Sequence, residues 1–292
     1  MIADIISEHE IFSVIVLLKL RHFREIENAG FIFGKNYDII LEIITKIFIR
    51  GIKMLIYYIR HGDPVYDPDE LTPLGRRQAE AVAKRLALHG IDEIYSSPSG
   101  RAIETAKPLS ELIKKPITTL DWCDESLAWR DFTVMQEDGK KRWMFDIKSV
   151  VDKFRDSSVL NLRNEWYKDP FFEKKIGKGV LRVNNEVDKF MANFGYVHDR
   201  EKGFYTPQAE NSKRIAIFAH YGFSMIFFSS LLDIPYPIFA SHFEISHSCV
   251  SVVKFDDTHK CGEVVPKLLQ YSNDSHLYKE NLPTRYHNEF FV

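Results

Sequence analysis

Cysteine is scarce in this chain: three in 292 residues, Cys123, Cys249 and Cys261. An odd, widely spaced set makes no disulfide framework and lacks a zinc-ligand spacing. No metal is expected, and a reducing, cytoplasmic location is the default. Excess charge is lacking too. The formal net charge is −2, from 39 basic and 41 acidic residues. That balance gives no general reason to expect a nucleic-acid or membrane partner. Any anion site must be local, built from a few converging Arg and His side chains. Long apolar runs are also missing. The longest N-terminal one, "IFSVIVLL" at 11–18, is too short to span a bilayer. Glu8 and Glu10 precede it where a signal peptide would carry Lys or Arg. No targeting segment and no transmembrane helix are expected. No internal repeat or low-complexity tract is visible.

What is present is an ordinary globular composition, 45% hydrophobic and 27% charged. Residues 1–53 read as a helical N-terminal extension, with patches such as "YDIILEIITKIFIR". A second explanation is that Met54 is the true start. "RGIKM" can be encoded with a purine-rich stretch just before the Met codon, which resembles a bacterial ribosome-binding site. Peptides from upstream of Met54 in the native protein would rule that out.

From Met54 the pattern alternates. "MLIYYI" is a continuous apolar run, as in a strand covered on both faces. "TPLGRRQAEAVAKRLALHG" reads as a helix, with Thr72 as N-cap, Pro73 in the first turn and Gly90 as the stop. "IDEIYSSP" is a second strand ending in small polar residues. "SGRAIETAKPLSELI" is a helix, continuous or broken near Pro108, and "ITTL" is a short third strand. Residues of about 126–210 are less regular and rich in aromatics, including Trp129 and Trp143. They read as an insertion, either a cap over a site or a satellite layer. "GVLRVNNEVDKFMANFGY" within it is an amphipathic helix. "RIAIFAH" is another buried strand with an apolar helix behind it, and "SHSCVSVVKFD" and "EVVPKLLQYSND" are two closing strands. The expected fold class is α/β, a three-layer α/β/α sandwich around a mostly parallel sheet.

Two of these strands end in histidine, at His61 and at His220. In open α/β sheets ligands bind beyond the carboxyl ends of the strands, so the two imidazoles can meet there. Arg60 stands beside the first, and Arg101 lies in the first turn of a helix that follows a third strand end. Two histidines and two arginines around a cleft suit a phosphoryl group. The guanidinium is a permanently charged fork matching phosphate oxygens, and a neutral imidazole is a competent nucleophile. Fixed cations stabilise the charge that spreads over the equatorial oxygens. Gly62, without a Cβ, lets backbone approach closely. Tyr221 can offer its amide at a helix start or its ring as a pocket wall. The leaving oxygen needs a proton, and "DWCDESLAW" supplies Asp121, Asp124 and Glu125. His247 reads as a strand-end polar residue, with a phosphate contact as the alternative. Asp63 and Tyr66 are candidates for a substrate rim.

Three segments in this order, "RHGDPVYDPDELTPLGRRQAEAVAKRL", "IYSSPSGRAIETA" and "IAIFAHYG", resemble the histidine phosphatase superfamily, also called phosphoglycerate mutase-like. The resemblance covers most of residues 54–270. It implies that fold, a phosphohistidine intermediate on His61, and phosphate-pocket roles for Arg60, Arg101 and His220. Glu125 falls where the family's proton donor lies, with Asp124 as competitor. The stretch "DPVYDPDELTPLG" is closer to the phosphatase branch than to the mutases. The expected activity is that of a histidine acid phosphatase-type phosphoric monoester hydrolase, metal-independent and without cofactor. Its partner would be a small phosphorylated substrate. The alternatives are a phosphoglycerate-mutase-type phosphotransferase and a phospho-ligand-binding regulatory module. Neither the particular ester nor the oligomeric state is written in the sequence.

Overall fold

The structure is a computed structural model and describes residues 53–256, 262–287 and 290–291. The expected helical extension over 1–53 lies outside the described residues except for Lys53, and Cys261 lies outside them too.

Strand β1 (Met54–Arg60) is buried on both faces because alternate side chains serve two cores. Met54, Ile56 and Tyr58 join one cluster, while Tyr57 and Ile59 join the other. Helix α1 (Pro73–Ala87) begins where Thr72 Oγ1 accepts the Gly75 amide at 3.0 Å. Pro73 sits in its first turn, where a missing N–H costs nothing. The chain continues through β2 (Glu93–Ser96), α2 (Gly100–Ile113) and β3 (Ile117–Thr119). Helix α2 runs unbroken through Pro108. Next come α3 (Glu125–Phe132) and α4 (Lys174–Asn193), then β4 (Arg214–Ala219) and α5 (Tyr221–Leu232). Strands β5 (Val250–Phe255) and β6 (Lys267–Asn273) close the sheet.

The strand order is β6-β5-β1-β4-β2-β3. The four strands β1 to β4 run parallel, and β5 and β6 are antiparallel additions at one side. One face is packed by α1 and α2 through Val82, Leu86, Ala106 and Leu109. The other meets α4 and α5 through Val183, Val187, Phe223 and Phe227. This is the expected three-layer α/β/α sandwich. Helix α5 lies between the sheet and the neighbouring helices, and residues 222–231 are all buried. That explains why its sequence is apolar on every side. Each fully buried Phe there contributes roughly 2–3 kcal/mol of transfer free energy.

Residues between β3 and β4 fill the range expected as an insertion. Besides α3 and α4 they form a ribbon (Thr133–Met135 with Lys141–Trp143) and a hairpin (Tyr196–Asp199 with Phe204–Pro207). Phe154, Trp166 and Phe172 pack with Tyr236, and Trp166 stacks on Tyr236 at 5.2 Å. The segment is both things the sequence left open. It builds a helical layer on the sheet, and it sends side chains to a cavity at the strand ends. No helix among the described residues is long and apolar enough to cross a membrane.

Candidate active site

Strands β1 and β4 are parallel neighbours, and their register pairs Arg60 with Ala219. The amide of His61 donates to Ala219 O at 2.9 Å. Two histidines 159 positions apart are thereby set side by side, with ring centroids 5.2 Å apart. The end of β2 and the start of α2 add Ser97, Ser99 and Arg101, and the start of α3 adds Glu125. Together these elements surround a cavity of about 630 Å³, with Arg60, His61, Arg101, Glu125 and Tyr221 among its lining residues.

Close backbone packing holds the frame. A Cβ on Gly75 would stand 2.2 Å from Asp63 O, and one on Gly62 would stand 2.7 Å from Gly75 O. The Gly62 amide donates to Thr105 Oγ1 at 3.0 Å. The bare backbone of Gly62 thus serves packing against α1 and α2, where the sequence suggested an approach to phosphate. Gly62 is not among the residues lining the cavity.

His61 is buried, and its Nδ1 lies 2.8 Å from Gly62 O. A carbonyl can only accept, so Nδ1 carries the hydrogen and Nε2 carries the lone pair. Burial pushes the His61 pKa well below its ordinary value, and His220, Arg60, His247 and Arg101 push the same way. The ring is therefore neutral at neutral pH, as a nucleophile must be.

Arg60 is held from three sides. Its Nη1 donates to Ile245 O and Tyr286 O, both at 2.6 Å, and its Nη2 donates to His247 Nε2 at 2.7 Å. Arg101 donates through Nη1 to Asp69 Oδ1 at 2.5 Å and through Nη2 to His220 Nδ1 at 3.2 Å. The Nε groups of both arginines are buried without a hydrogen-bond partner. Buried donors without partners are costly, and here two flank one histidine.

His220 is fully buried. Because Nδ1 accepts from Arg101, Nε2 carries the hydrogen, 2.8 Å from Ser97 Oγ and 3.2 Å from Ser99 Oγ. Burial, Arg101 and Arg60 keep its pKa well below the usual value. Both ring nitrogens are thus engaged by protein groups, and His220 stands behind Arg101. Tyr58 fixes it further by donating its hydroxyl to His220 O at 2.7 Å.

Glu125 reaches the N-terminus of α5. Its Oε1 accepts the Gly222 amide at 3.0 Å and its Oε2 the Phe223 amide at 2.9 Å. Burial raises its pKa to about 7, against the pull of those amides and of Arg101 and Arg60. Asp124 instead caps its own helix, accepting the Ser126 amide at 2.7 Å. Of the two carboxylates, Glu125 is the one poised to hold a proton near neutral pH. Tyr221 places its ring on the cavity wall with the Arg60 guanidinium 5.4 Å from the ring centroid. The α5 amides that meet Glu125 are those of the next two residues.

Two further expectations change. Asp63 is no rim residue: it is buried, with Oδ2 accepting from Thr72 Oγ1 at 2.7 Å and Oδ1 from Arg285 Nη1 at 3.1 Å. Burial alone would raise its pKa, but hydrogen bonds from His247 and Thr72 and further pull from Arg285 lower it to about 2. His247 is more than a strand-end polar residue. It joins Arg60 to Asp63, and its ring centroid lies 5.8 Å from that of His61. Tyr66 does line the cavity, with Arg101 5.3 Å above its ring. Sequence reading did not find Asp69, Ser97 and Ser99 as supports. The "SSPS" run after β2 was the available signal for the serines; nothing local marks Asp69. Among the described residues no group of three or more His, Cys, Asp or Glu side chains could hold a metal ion.

Residues 56–144 match the family model of the histidine phosphatase superfamily (branch 1). A curated protein, putative phosphoserine phosphatase 2 of Hydrogenobacter thermophilus, is 31% identical over 97 residues, which are 30% of this chain. The match spans 45% of that relative's length. Among solved structures, mycobacterial glucosyl-3-phosphoglycerate phosphatase is similar with a TM-score of 0.49 at 18% identity, over 76% of this chain and 99% of that one. Phosphoserine phosphatase from Entamoeba histolytica, solved with 3-phosphoglyceric acid, gives a TM-score of 0.48 at 17% identity, over 77% and 99% of the two chains.

Proposed function

From its pocket and the match of residues 56–144 to the histidine phosphatase superfamily (branch 1), we propose that this chain is a metal-independent phosphomonoester hydrolase of that superfamily, working through a phosphohistidine on His61. The observation that carries this reading is a neutral imidazole, its lone pair fixed on Nε2, near two arginines whose buried Nε donors have no protein partner. Those donors suit the oxygens of a tetrahedral anion. A small phosphorylated substrate agrees with the name of the curated relative, putative phosphoserine phosphatase 2.

In the first step His61 Nε2 forms a bond to phosphorus while the ester P–O bond breaks. The equatorial oxygens gather negative charge, and Arg60 and Arg101 stabilise it without reorganising, since each is already fixed by neighbours. His220 is a positioning residue that sets where Arg101 sits. Glu125, protonated up to about pH 7, gives its proton to the departing oxygen. In the second step the Glu125 carboxylate takes a proton from water, water oxygen bonds to phosphorus, and the N–P bond breaks. Free phosphate leaves and His61 is neutral again. The buried thiols Cys123 and Cys249 fit a reducing, cytoplasmic setting.

Phosphate release from a panel of monoesters, with and without chelator, tests the proposal. Release is expected to survive chelation and to fall at least about a thousandfold in His61→Ala. Unchanged release in that variant would remove His61 from its role. Transfer to a second substrate molecule with little free phosphate would favour a mutase.

A further inference from the structure

Above its phosphate-binding floor the cavity has no cation to spare. Among the described residues lining it, the cations are Arg60 and Arg101. Arg60 already donates to two carbonyls and His247, and Arg101 is matched by Asp69. The other ionisable carboxyl groups on the wall are Asp124 and Glu125. Beside them the wall carries Ser126 and the rings of Trp129, Trp143 and Tyr221. Trp129 meets Trp143 edge to face, with centroids 4.9 Å apart and planes at 87°. Trp143 stacks on Phe145 at 5.6 Å, and Phe145 leans on Tyr221 at 5.3 Å. A Cβ at Gly222 would stand 2.3 Å from the Trp143 ring, so the first turn of α5 also presses that indole into place. Trp129 keeps 37% of its surface exposed.

An indole pair beside Asp124, which is held by a backbone amide and by no cation among the described residues, is a poor place for a second anion. A carboxylate or second phosphate on the substrate would lose water there and gain no cation, while Asp124 would repel it. The same wall suits a cation, because an indole face attracts positive charge and does so best for a weakly hydrated alkylammonium. Asp124 adds a full opposite charge.

We infer that the ester processed here carries a cationic alcohol, a phosphorylated alkylammonium alcohol whose phosphate meets Arg60 and Arg101 and whose ammonium rests against Trp129 and Asp124. This names the substrate class of the site proposed above and rests on the phosphatase reading. Trp129 and Asp124 are then its specificity-determining residues, and the cavity ranks alcohols by charge, cationic over neutral over anionic.

Kinetics on matched esters test this. Choline phosphate and 3,3-dimethylbutyl phosphate share a shape and differ in one positive charge. Glycerol 3-phosphate and 3-phosphoglycerate differ by one carboxylate. The expected kcat/KM ratio is about tenfold or more in favour of choline phosphate, and similar for glycerol 3-phosphate over 3-phosphoglycerate. Asp124→Asn keeps a competent helix cap, and it and Trp129→Leu should each shrink the choline preference severalfold. Equal turnover of the two isosteres, a preference for 3-phosphoglycerate, or a choline preference unmoved by both substitutions would overturn the inference. So would turnover of 4-nitrophenyl phosphate with none of choline phosphate, and that result leaves the phosphatase reading standing. No His61-dependent release from any ester, 4-nitrophenyl phosphate included, would sink the phosphatase reading and this one with it.

Discussion

His61 and His198 are both enclosed histidines, and their neighbours push them in opposite directions. His61 stands among Arg60, Arg101 and two more imidazoles, so burial and nearby positive charge together disfavour its protonation. His198 has no exposed side chain either, but its Nδ1 lies 2.8 Å from Asp188 Oδ1 and its Nε2 2.6 Å from Asp233 Oδ2. Burial would lower its pKa, yet the two carboxylates outweigh it and raise the value above 6.5. Arg200 grips Asp188 through Nε at 2.8 Å and Nη2 at 2.7 Å. His198 thereby ties the 196–207 hairpin to α4 and to the end of α5, with its ring stacked on Tyr205 at 4.0 Å. One histidine is kept neutral beside an open cavity and the other is pushed toward its charged form inside a clamp. The difference lies in the sign of the neighbouring charges and in access to a ligand.

Substitutions should separate the two. His61→Ala is expected to reduce kcat by about 10⁴-fold with little change in the urea midpoint, since it removes the proposed nucleophile and leaves the frame. Arg101→Lys should cost about 10²–10³ in kcat, because an ammonium cannot reproduce the guanidinium fork. His198→Ala should do the reverse of His61→Ala. Urea unfolding should show a loss of about 1–3 kcal/mol, since Asp188 keeps Arg200 while both carboxylates lose the imidazole, with kcat within about twofold of wild type.

Glu125→Gln should cost about a hundredfold and change the pH profile. In the wild type kcat/KM should fall as pH rises through about 7, where Glu125 loses its proton, once the ester's own ionisation near pH 6 is allowed for. The variant should lack that limb.

The smallest effects are in stability against pH, and they have opposite signs. His198, with its folded pKa raised, contributes stability that is complete below 6.5 and is lost as pH rises through the folded value. Asp63, lowered from 3.8 to about 2, contributes stability present above 3.8 and lost as pH falls through about 2. Its share is roughly 2 kcal/mol. Thermal melts of His198→Ala and Asp63→Asn should each flatten one side of the stability profile.

The floor of the site was legible because each member ends a strand or opens a helix. "IYYIRHG" and "IFAH" are apolar runs stopping at a charged or imidazole side chain, and parallel pairing of β1 and β4 does the rest. Arg101 was readable for the same reason, as the first turn of α2. The supports were not. Asp69 reaches Arg101 and the Gly100 amide from a loop with no periodic signature, and His247 and Tyr286 reach Arg60 from the far end of the chain. The separation of Asp124 from Glu125 depended on helix phase. One residue's difference sends Asp124 to its own cap and Glu125 across to α5. The His198 clamp was invisible for a related reason, since its two acidic partners, Asp188 and Asp233, lie on separate elements.

Rapid-quench labelling is the most direct check on the central claim. The enzyme is mixed with a ³²P-labelled monoester that it turns over, stopped in alkali within milliseconds, and digested. The account predicts acid-labile, alkali-stable label on the peptide carrying His61, appearing before free phosphate and absent from His61→Ala. Label-free protein during rapid turnover, or label on any other residue, would contradict it.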